Sequence, residues 1–344
     1  MGGNRCRLST HSAAWKRKVD FKSSPFAWQN RHLSHVPLYP IPSLLMRLFT
    51  ALWLLPLLVT AAPRTEHVFV LSFDGGNPTI IEQAEMPNFK RLAAEGAHSW
   101  QAQTIIPSKT LPSHTSMLTG VDIAKHGIDW NDYFPMRGMV KVPTVFSLLK
   151  AVNPEANTAL FCGKIKFRHL WIKDSLDMSN CGAPYTYGPI PASEEKKLVP
   201  SPEVSAQAAA YIIEKKPQLC LIHFPDPDSA GHKYGWGSPE QLEAFKICDA
   251  SLGIILAAIA QAGIADSSTV ILSADHGGKD RNHFDPIENN TTIPWIAWGK
   301  GVKKQHAIAK KTIYTYDTAA TILWLLDVPQ PAHFDGEPVR EAFE

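Results

Sequence analysis

The chain has 344 residues, 44% of them hydrophobic, which is enough for one large domain or two smaller ones with a sizeable core. Its formal net charge of +2 is unevenly placed: residues 1–62 carry eight Lys/Arg and one Asp, and the remainder holds 26 basic and 31 acidic residues. Nothing in a mildly acidic remainder suggests a basic nucleic-acid patch, so no binding to a nucleic-acid duplex is expected.

Residues 1–45 are polar and aperiodic, and read as a disordered extension or a mis-assigned start. From Met46 the stretch "MRLFTALWLLPLLVTAAPRTE" joins Arg47, an apolar run from Leu48 to Val59, and the small residues Val59 and Ala61 at signal-peptidase spacing. This run of about a dozen falls short of the roughly 20 residues that span a bilayer. Residues 46–62 therefore read as a cleaved secretory signal with Met46 as the true start. The mature product is then secreted or periplasmic, with no stable membrane span. The competing reading keeps the extension and makes the run an internal anchor. Residues 63–344 are left as a catalytic domain. Export permits disulfides, and Cys162 with Cys181 is a candidate bridge. Cys220, inside "LCLIHF", reads as a core thiol, and no Cys-x-x-Cys offers a thiolate zinc site.

From residue 66 the pattern alternates. "HVFVLSF" (67–73) is a continuous apolar strand, and 86–96 is a helix stopped by Gly96. "SHTSMLTG" (113–120) reads as a Ser-started helix. A helix over 144–152 precedes a strand over 157–162. The stretch 163–200 is irregular and reads as a lid or small cap, with Trp171, Tyr185 and Tyr187 as candidate stacking contacts. A helix (201–216), a strand (218–224), a long helix (238–263), two strands (268–274 and 293–298) and a last helix (316–327) come after it. Apolar strands separated by amphipathic helices predict an α/β fold with a mostly parallel sheet covered on both faces.

Ligands of such sheets bind beyond the strand carboxyl ends. Three of the strands run directly into acidic or imidazole-bearing residues. Asp74-Gly75-Gly76 comes after the first; Asp226, Asp228 and His232 in "PDPDSAGHKYG" come after 218–224; Asp275-His276-Gly277-Gly278 comes after 268–274. Each alone has an ordinary explanation, as a capping Asp, a polar loop or a hydrogen-bonded pair. Together, carboxylate oxygens and neutral imidazoles at one edge suit zinc, and manganese less specifically. "IIPSKTLPSHTSMLTG" (105–120) places Thr110 between two prolines beside a helix start, where free N–H groups favour an anion. A Thr hydroxyl there is a candidate nucleophile.

Asp74, "PSKTLP", "HGIDWN", "DSAGHKYG" and "DHGG" occur in this order in the alkaline phosphatase superfamily. They most resemble its type I phosphodiesterase/nucleotide pyrophosphatase branch, over nearly all of residues 66–330. The resemblance implies an alkaline-phosphatase-like three-layer sandwich and two zinc ions about 4 Å apart. One ion would be held by Asp74, Thr110, Asp275 and His276, and the other by Asp228, His232 and a third His. His283 is assigned as that third His ahead of His306 and His333, although Asn282 and Phe284 flank it where the family has Gly. Asn131 matches an Asn that donates to a phosphate oxygen, and Lys109 would steer an anionic substrate. Asp226 reads as supporting structure, and His114 and His126 as packing or helix-end residues. "NNTT" (289–292) carries two overlapping glycosylation sequons.

The implied activity is hydrolysis of phosphodiester or pyrophosphate bonds in a small phosphate ester or nucleotide, through a phosphothreonine. A phosphomonoesterase or phosphonate hydrolase of the same superfamily is the nearest rival, with Lys164, Lys166 and Arg168 as candidate extra cations. A non-catalytic metal-dependent binding protein is a remoter one. A sulfatase is disfavoured, because no Cys/Ser-x-Pro-x-Arg precedes the helix. About 118 residues between Thr110 and Asp228 leave little room for the inserted domain of a phosphoglycerate mutase.

Overall fold

The computed structural model describes residues 64–182, 198–309 and 312–344. The predicted leader, the expected start of the catalytic domain at residue 63, Tyr185 and Tyr187 lie outside them. The described chain opens on β1 (His67–Phe73), followed by α1 (Pro78–Gln83), α2 (Pro87–Glu95), β2 (Ala97–Gln103), α3 (Thr110–Thr119), α4 (Ile123–His126) and α5 (Val145–Val152). Next come β3 (Thr158–Cys162), β4 (Met178–Cys181), α6 (Ser201–Lys215), β5 (Leu219–Phe224), α7 (Asp226–Tyr234) and α8 (Pro239–Gln261). β6 (Ser268–Ser273), α9 (Glu288–Thr291), β7 (Thr292–Gly299), β8 (His306–Ala307) and α10 (Asp317–Leu325) complete it.

The strands form one sheet in the order β4-β3-β5-β1-β6-β7-β2-β8. β1 is parallel to both neighbours, β5 and β6, whereas β7 runs antiparallel to β6 and β2. The expected mostly parallel sheet is therefore present. Every residue of β1, β3, β5 and β6 is buried, which is why these strands read as unbroken apolar runs rather than alternating ones. Successive side chains still leave opposite faces. Val68 and Val70 enter one core with Leu111, Met117, Phe146 and Leu323; Phe69, Leu71 and Phe73 enter the other with Phe89, Ile212, Phe245 and Leu252. Helices α3, α5 and α10 supply the first core and α2, α6 and α8 the second, giving three layers.

Four readings change. β2 and β4 carried no strand signal: β2 is half-exposed "AHSWQAQ" beside the two-residue edge strand β8, and β4 is four residues at the opposite edge. α3 starts at Thr110 rather than Ser113, because Pro112 in a first turn forgoes only an N–H that has no helical partner there. Ser113 is thus inside the helix and does not cap it; its Oγ donates to the Asp275 carbonyl at 2.8 Å. Trp171, read as part of a lid, is 2% exposed within the core, against Arg168 at 5.6 Å. Cys162 and Cys181 are register partners on β3 and β4, and both are free buried thiols.

Candidate metal centre

The parallel register of β5, β1 and β6 brings their carboxyl ends to one edge, and the candidate residues come immediately beyond. Asp74 is the residue after β1, and the turn behind it needs φ = +76° at Gly75, a region open to glycine. After β5 the chain enters α7 directly, so "DPDSAGHKY" is a helix rather than a loop. Asp228 and His232 are then four apart on one helical face. Asp275 and His276 come just after β6. A Cβ on Gly278 would lie 2.0 Å from the Trp236 ring, so only glycine lets this turn pass the aromatic that stands edge-on to His232 at 5.2 Å.

His276 Nε2 is the hub of one donor set. Asp74 Oδ1 lies 3.4 Å from it, Asp275 Oδ2 3.3 Å and Thr110 Oγ1 3.5 Å. Asp228 Oδ1 is the hub of the other, with His232 Nε2 at 3.3 Å and His283 Nε2 at 3.7 Å. Ligands about 2.0–2.2 Å from one tetrahedral ion stand about 3.3–3.6 Å from one another. The hub distances of the first set fall in that range, and those of the second, 3.3 and 3.7 Å, fall in it or just beyond it. Asp228 Oδ1 is also 4.0 Å from His276 Nε2, so the sets adjoin. Asp228, His232 and His283 offer mutually close donor atoms, as do Asp74, Asp228 and His276.

Two further observations fit cations here. Asp74 Oδ1, Asp228 Oδ1 and Asp275 Oδ2 are buried and accept no hydrogen bond, a costly condition that an ion would relieve. Each imidazole pairs its Nδ1 with a carbonyl: His276 with Gly277 at 2.8 Å, His232 with Arg281 at 2.9 Å, His283 with Ser108 at 2.5 Å. Carbonyls only accept, so in each neutral imidazole Nδ1 carries the proton and Nε2 keeps a lone pair facing the carboxylates.

The charge states of the bare residues follow from burial and from their charged neighbours. Burial opposes ionisation of Asp74, yet Lys164 and His223 hold it well below the usual carboxylate range. Burial and the Asp74 charge oppose ionisation of Asp228, and Lys164, His232 and His276 together outweigh them and hold it low. Asp275 is pushed well above that range by burial and by Asp74. Burial lowers His276, and burial with His276 takes His283 down to about 3, so both imidazoles are neutral near pH 7. His232 is raised by the Asp228 carboxylate beside it.

A model of the type I phosphodiesterase/nucleotide pyrophosphatase family matches residues 68–318. The chain belongs to this family. It is 25% identical over 239 residues to mouse ectonucleotide pyrophosphatase/phosphodiesterase family member 7, covering 67% of this chain and 54% of that one. It is 23% identical over 277 residues to the venom phosphodiesterase CdcPDE of Crotalus durissus collilineatus, covering 74% and 32%. The chain thus spans between about a third and about half of these curated relatives. Among solved structures, murine ectonucleotide pyrophosphatase/phosphodiesterase 5, in an inactive form with AMP, superimposes with a TM-score of 0.65 at 16% identity, covering 81% of this chain and all of that one. A 2-O GAG sulfatase has the same score and identity, covering 81% and 74%, so the alkaline-phosphatase-like fold is common to both.

Other residues of the family pattern fall around the two sets. Asn131 Oδ1 accepts from the Leu111 N–H at 2.9 Å, which turns its Nδ2 donors away from the helix. The Thr110 N–H, first in α3, has no partner among the described residues. Lys109 leans over the Phe284 ring at 5.9 Å. Asp226 accepts from Ser201 N at 2.7 Å and tethers α7 to α6. His114 bridges the Thr110 carbonyl and Ser72 Oγ, and His126 bridges Ser116 Oγ and the Ile128 N–H, so both pack. The rivals for the third imidazole point elsewhere, His306 to Glu341 at 3.5 Å and His333 to Phe334. The loop around His283 closes without glycine through reciprocal Lys279 and Asn282 bonds. Of the sequon asparagines only Asn289 is exposed; Asn290 is buried and donates to the Asp285 carbonyl.

His223 carried no functional signal in the sequence pattern. Its Nε2 donates to Asp74 Oδ2 at 2.8 Å, behind the ligand face. The one available clue was a titratable residue inside the apolar "LCLIHF", where an unpaired imidazole would be costly.

Proposed function

We propose that the chain is a hydrolase of phosphodiester or pyrophosphate bonds that uses Thr110 as nucleophile and works in a secretory or periplasmic compartment. The observation that carries this reading is the convergence of three orphaned carboxylate oxygens on three Nε2 lone pairs and one hydroxyl, at ligand-edge spacing. Two divalent ions, zinc by its donor preferences and manganese as the alternative, would be held by Asp74, Thr110, Asp275 and His276 and by Asp228, His232 and His283; they would acidify the hydroxyl and neutralise phosphoryl oxygens.

The chain's own residues do the rest. Thr110 Oγ attacks phosphorus, the bond from phosphorus to the leaving oxygen breaks, and the phosphoryl group stays on Thr110. Water then attacks the same phosphorus, the bond to Oγ breaks, and the hydroxyl is restored. Asn131 Nδ2 and the Thr110 N–H donate to the equatorial oxygens as charge builds there. Lys109 draws in the anion. The apolar run from Leu48 to Val59 supports the compartment.

The test is turnover of zinc-loaded protein on an aryl phosphodiester, a dinucleotide pyrophosphate and an aryl phosphate. Release from the first two supports the reading; no release from any of the three sinks it. The monoesterase or phosphonate reading has one observation behind it. Lys166 is half-buried with no ion pair among the described residues, lowered to about 8 by burial and by Lys164. Faster turnover of the aryl phosphate would favour it.

A further inference from the structure

One cation already sits inside the centre. Lys164 Nζ lies 2.6 Å from Asp74 Oδ2 and 2.5 Å from Asp228 Oδ2, with its side chain 10% exposed. It joins one carboxylate from each donor set, through the oxygens not turned to His276, His232 and His283. The backbone is built for this reach. Lys164 lies two residues beyond β3, and a Cβ on Gly163 would lie 2.1 Å from Pro225 Cγ, so glycine lets the strand end pass the loop that leads into α7. The backbone then pairs across to Leu198, and Val199 N donates to the Gly163 carbonyl at 2.8 Å, fixing the base of the side chain.

The division of oxygens is regular. Asp74 gives Oδ2 to Lys164 and His223 and leaves Oδ1 bare; Asp228 gives Oδ2 to Lys164 and leaves Oδ1 without a hydrogen bond. Filling the centre with cations therefore does not require Lys164 to leave. Its charge has opposite consequences in the two states. Without ions it is the ammonium paired with both carboxylates; with ions it is a like charge beside them.

We propose that Lys164 is the counter-ion of the metal-free form, a positioning residue that holds Asp74 and Asp228 in ligand geometry across both donor sets and weakens metal binding in return. The inference rests on the metal-centre reading above. It is distinct from the substrate-cation role considered for Lys164 in a monoesterase, because both close contacts are to carboxylates.

The experiment uses metal-stripped full chain, as wild type, Lys164→Met and Lys164→Arg. It measures thermal unfolding with and without zinc, and zinc affinity by competition with a chromophoric chelator. Stripped Lys164→Met should unfold at a lower temperature than stripped wild type. It should bind zinc at least about tenfold more tightly, since a unit charge a few ångströms away matters at that scale even in a well-screened interior. Zinc should raise its unfolding temperature by more than it raises that of wild type. Lys164→Arg, which keeps the charge, should fall between the two. Equal or weaker zinc binding by Lys164→Met overturns the inference, as does a Lys164→Met protein that zinc cannot bring to a folded state. A wild type that takes up no zinc overturns the metal-centre reading itself, and this inference with it. A wild type that binds zinc with Lys164→Met matching it removes the Lys164 role alone.

Discussion

The two donor sets are built by different means. Asp74, Thr110, Asp275 and His276 are all 0–1% exposed, and they sit on two strand ends and a helix start locked into the sheet. Asp228 and His232 ride one turn of α7, His283 comes from a loop, and the His232 side chain is 40% exposed. The first set inherits its geometry from strand register, which a whole sheet enforces. The second relies on helical periodicity and on a loop closed by Lys279 and Asn282. The proposed nucleophile, Thr110, belongs to the buried set, where a small displacement would cost most.

The sharpest way to test that division is Thr110→Ala. It should lower kcat on an aryl phosphodiester at least about a thousandfold, the scale of losing a nucleophile, while zinc content by elemental analysis stays near wild type. Retained turnover would sever Thr110 from the chemistry. Next, His276→Ala should abolish high-affinity zinc uptake altogether, because its Nε2 contacts donors of both sets. His232→Ala should remove one ion of two. Equal losses from the two variants would erase the proposed asymmetry.

The same asymmetry governed how much the sequence disclosed. Asp74 and Asp275 were legible because they end apolar strands, and Asp228 with His232 because four-residue spacing faces one way on a helix. His283 has no such pattern; only the order of motifs in the family singled it out, and the structure places it 3.7 Å from Asp228 Oδ1. His223 and Trp236 were hidden because a buried side chain's partners depend on which strands adjoin, and sequence spacing does not encode that. β2 was missed for a related reason: a half-exposed strand near a sheet edge needs no apolar alternation.

Outer partners should matter less than ligands, and His223 checks this. His223→Phe removes the donor to Asp74 Oδ2 and keeps a ring beside Phe167, 4.5 Å away. A loss of about 10–100-fold in zinc affinity is expected, as for other residues that orient ligands from behind. The loss should fall on the ion held by the buried set. An equal effect on the second ion would mean that Lys164 transmits the disturbance through its contact with Asp228.

The smallest effect is a dependence on pH confined to the exposed set. His232 is raised by the Asp228 carboxylate beside it, whereas His276 and His283 are lowered by burial and stay neutral near pH 7. Zinc binding at the second set must displace one proton from His232. Its affinity should therefore fall up to about tenfold per pH unit below the raised value, which lies above the ordinary histidine pKa of about 6.5. The metal-free protein should behave in the opposite sense. A group with a raised folded-state pKa stabilises fully below the unfolded value and loses that contribution as pH rises through the folded one. Between about pH 6 and 8, acid thus strengthens the stripped fold at His232 and weakens its hold on the second ion. Calorimetric titration at both ends of that range, on wild type and His232→Gln, measures the second effect, and thermal unfolding of the stripped proteins measures the first. A second-ion affinity that is flat with pH in wild type would place the displaced proton elsewhere and leave His232 outside the ligand set.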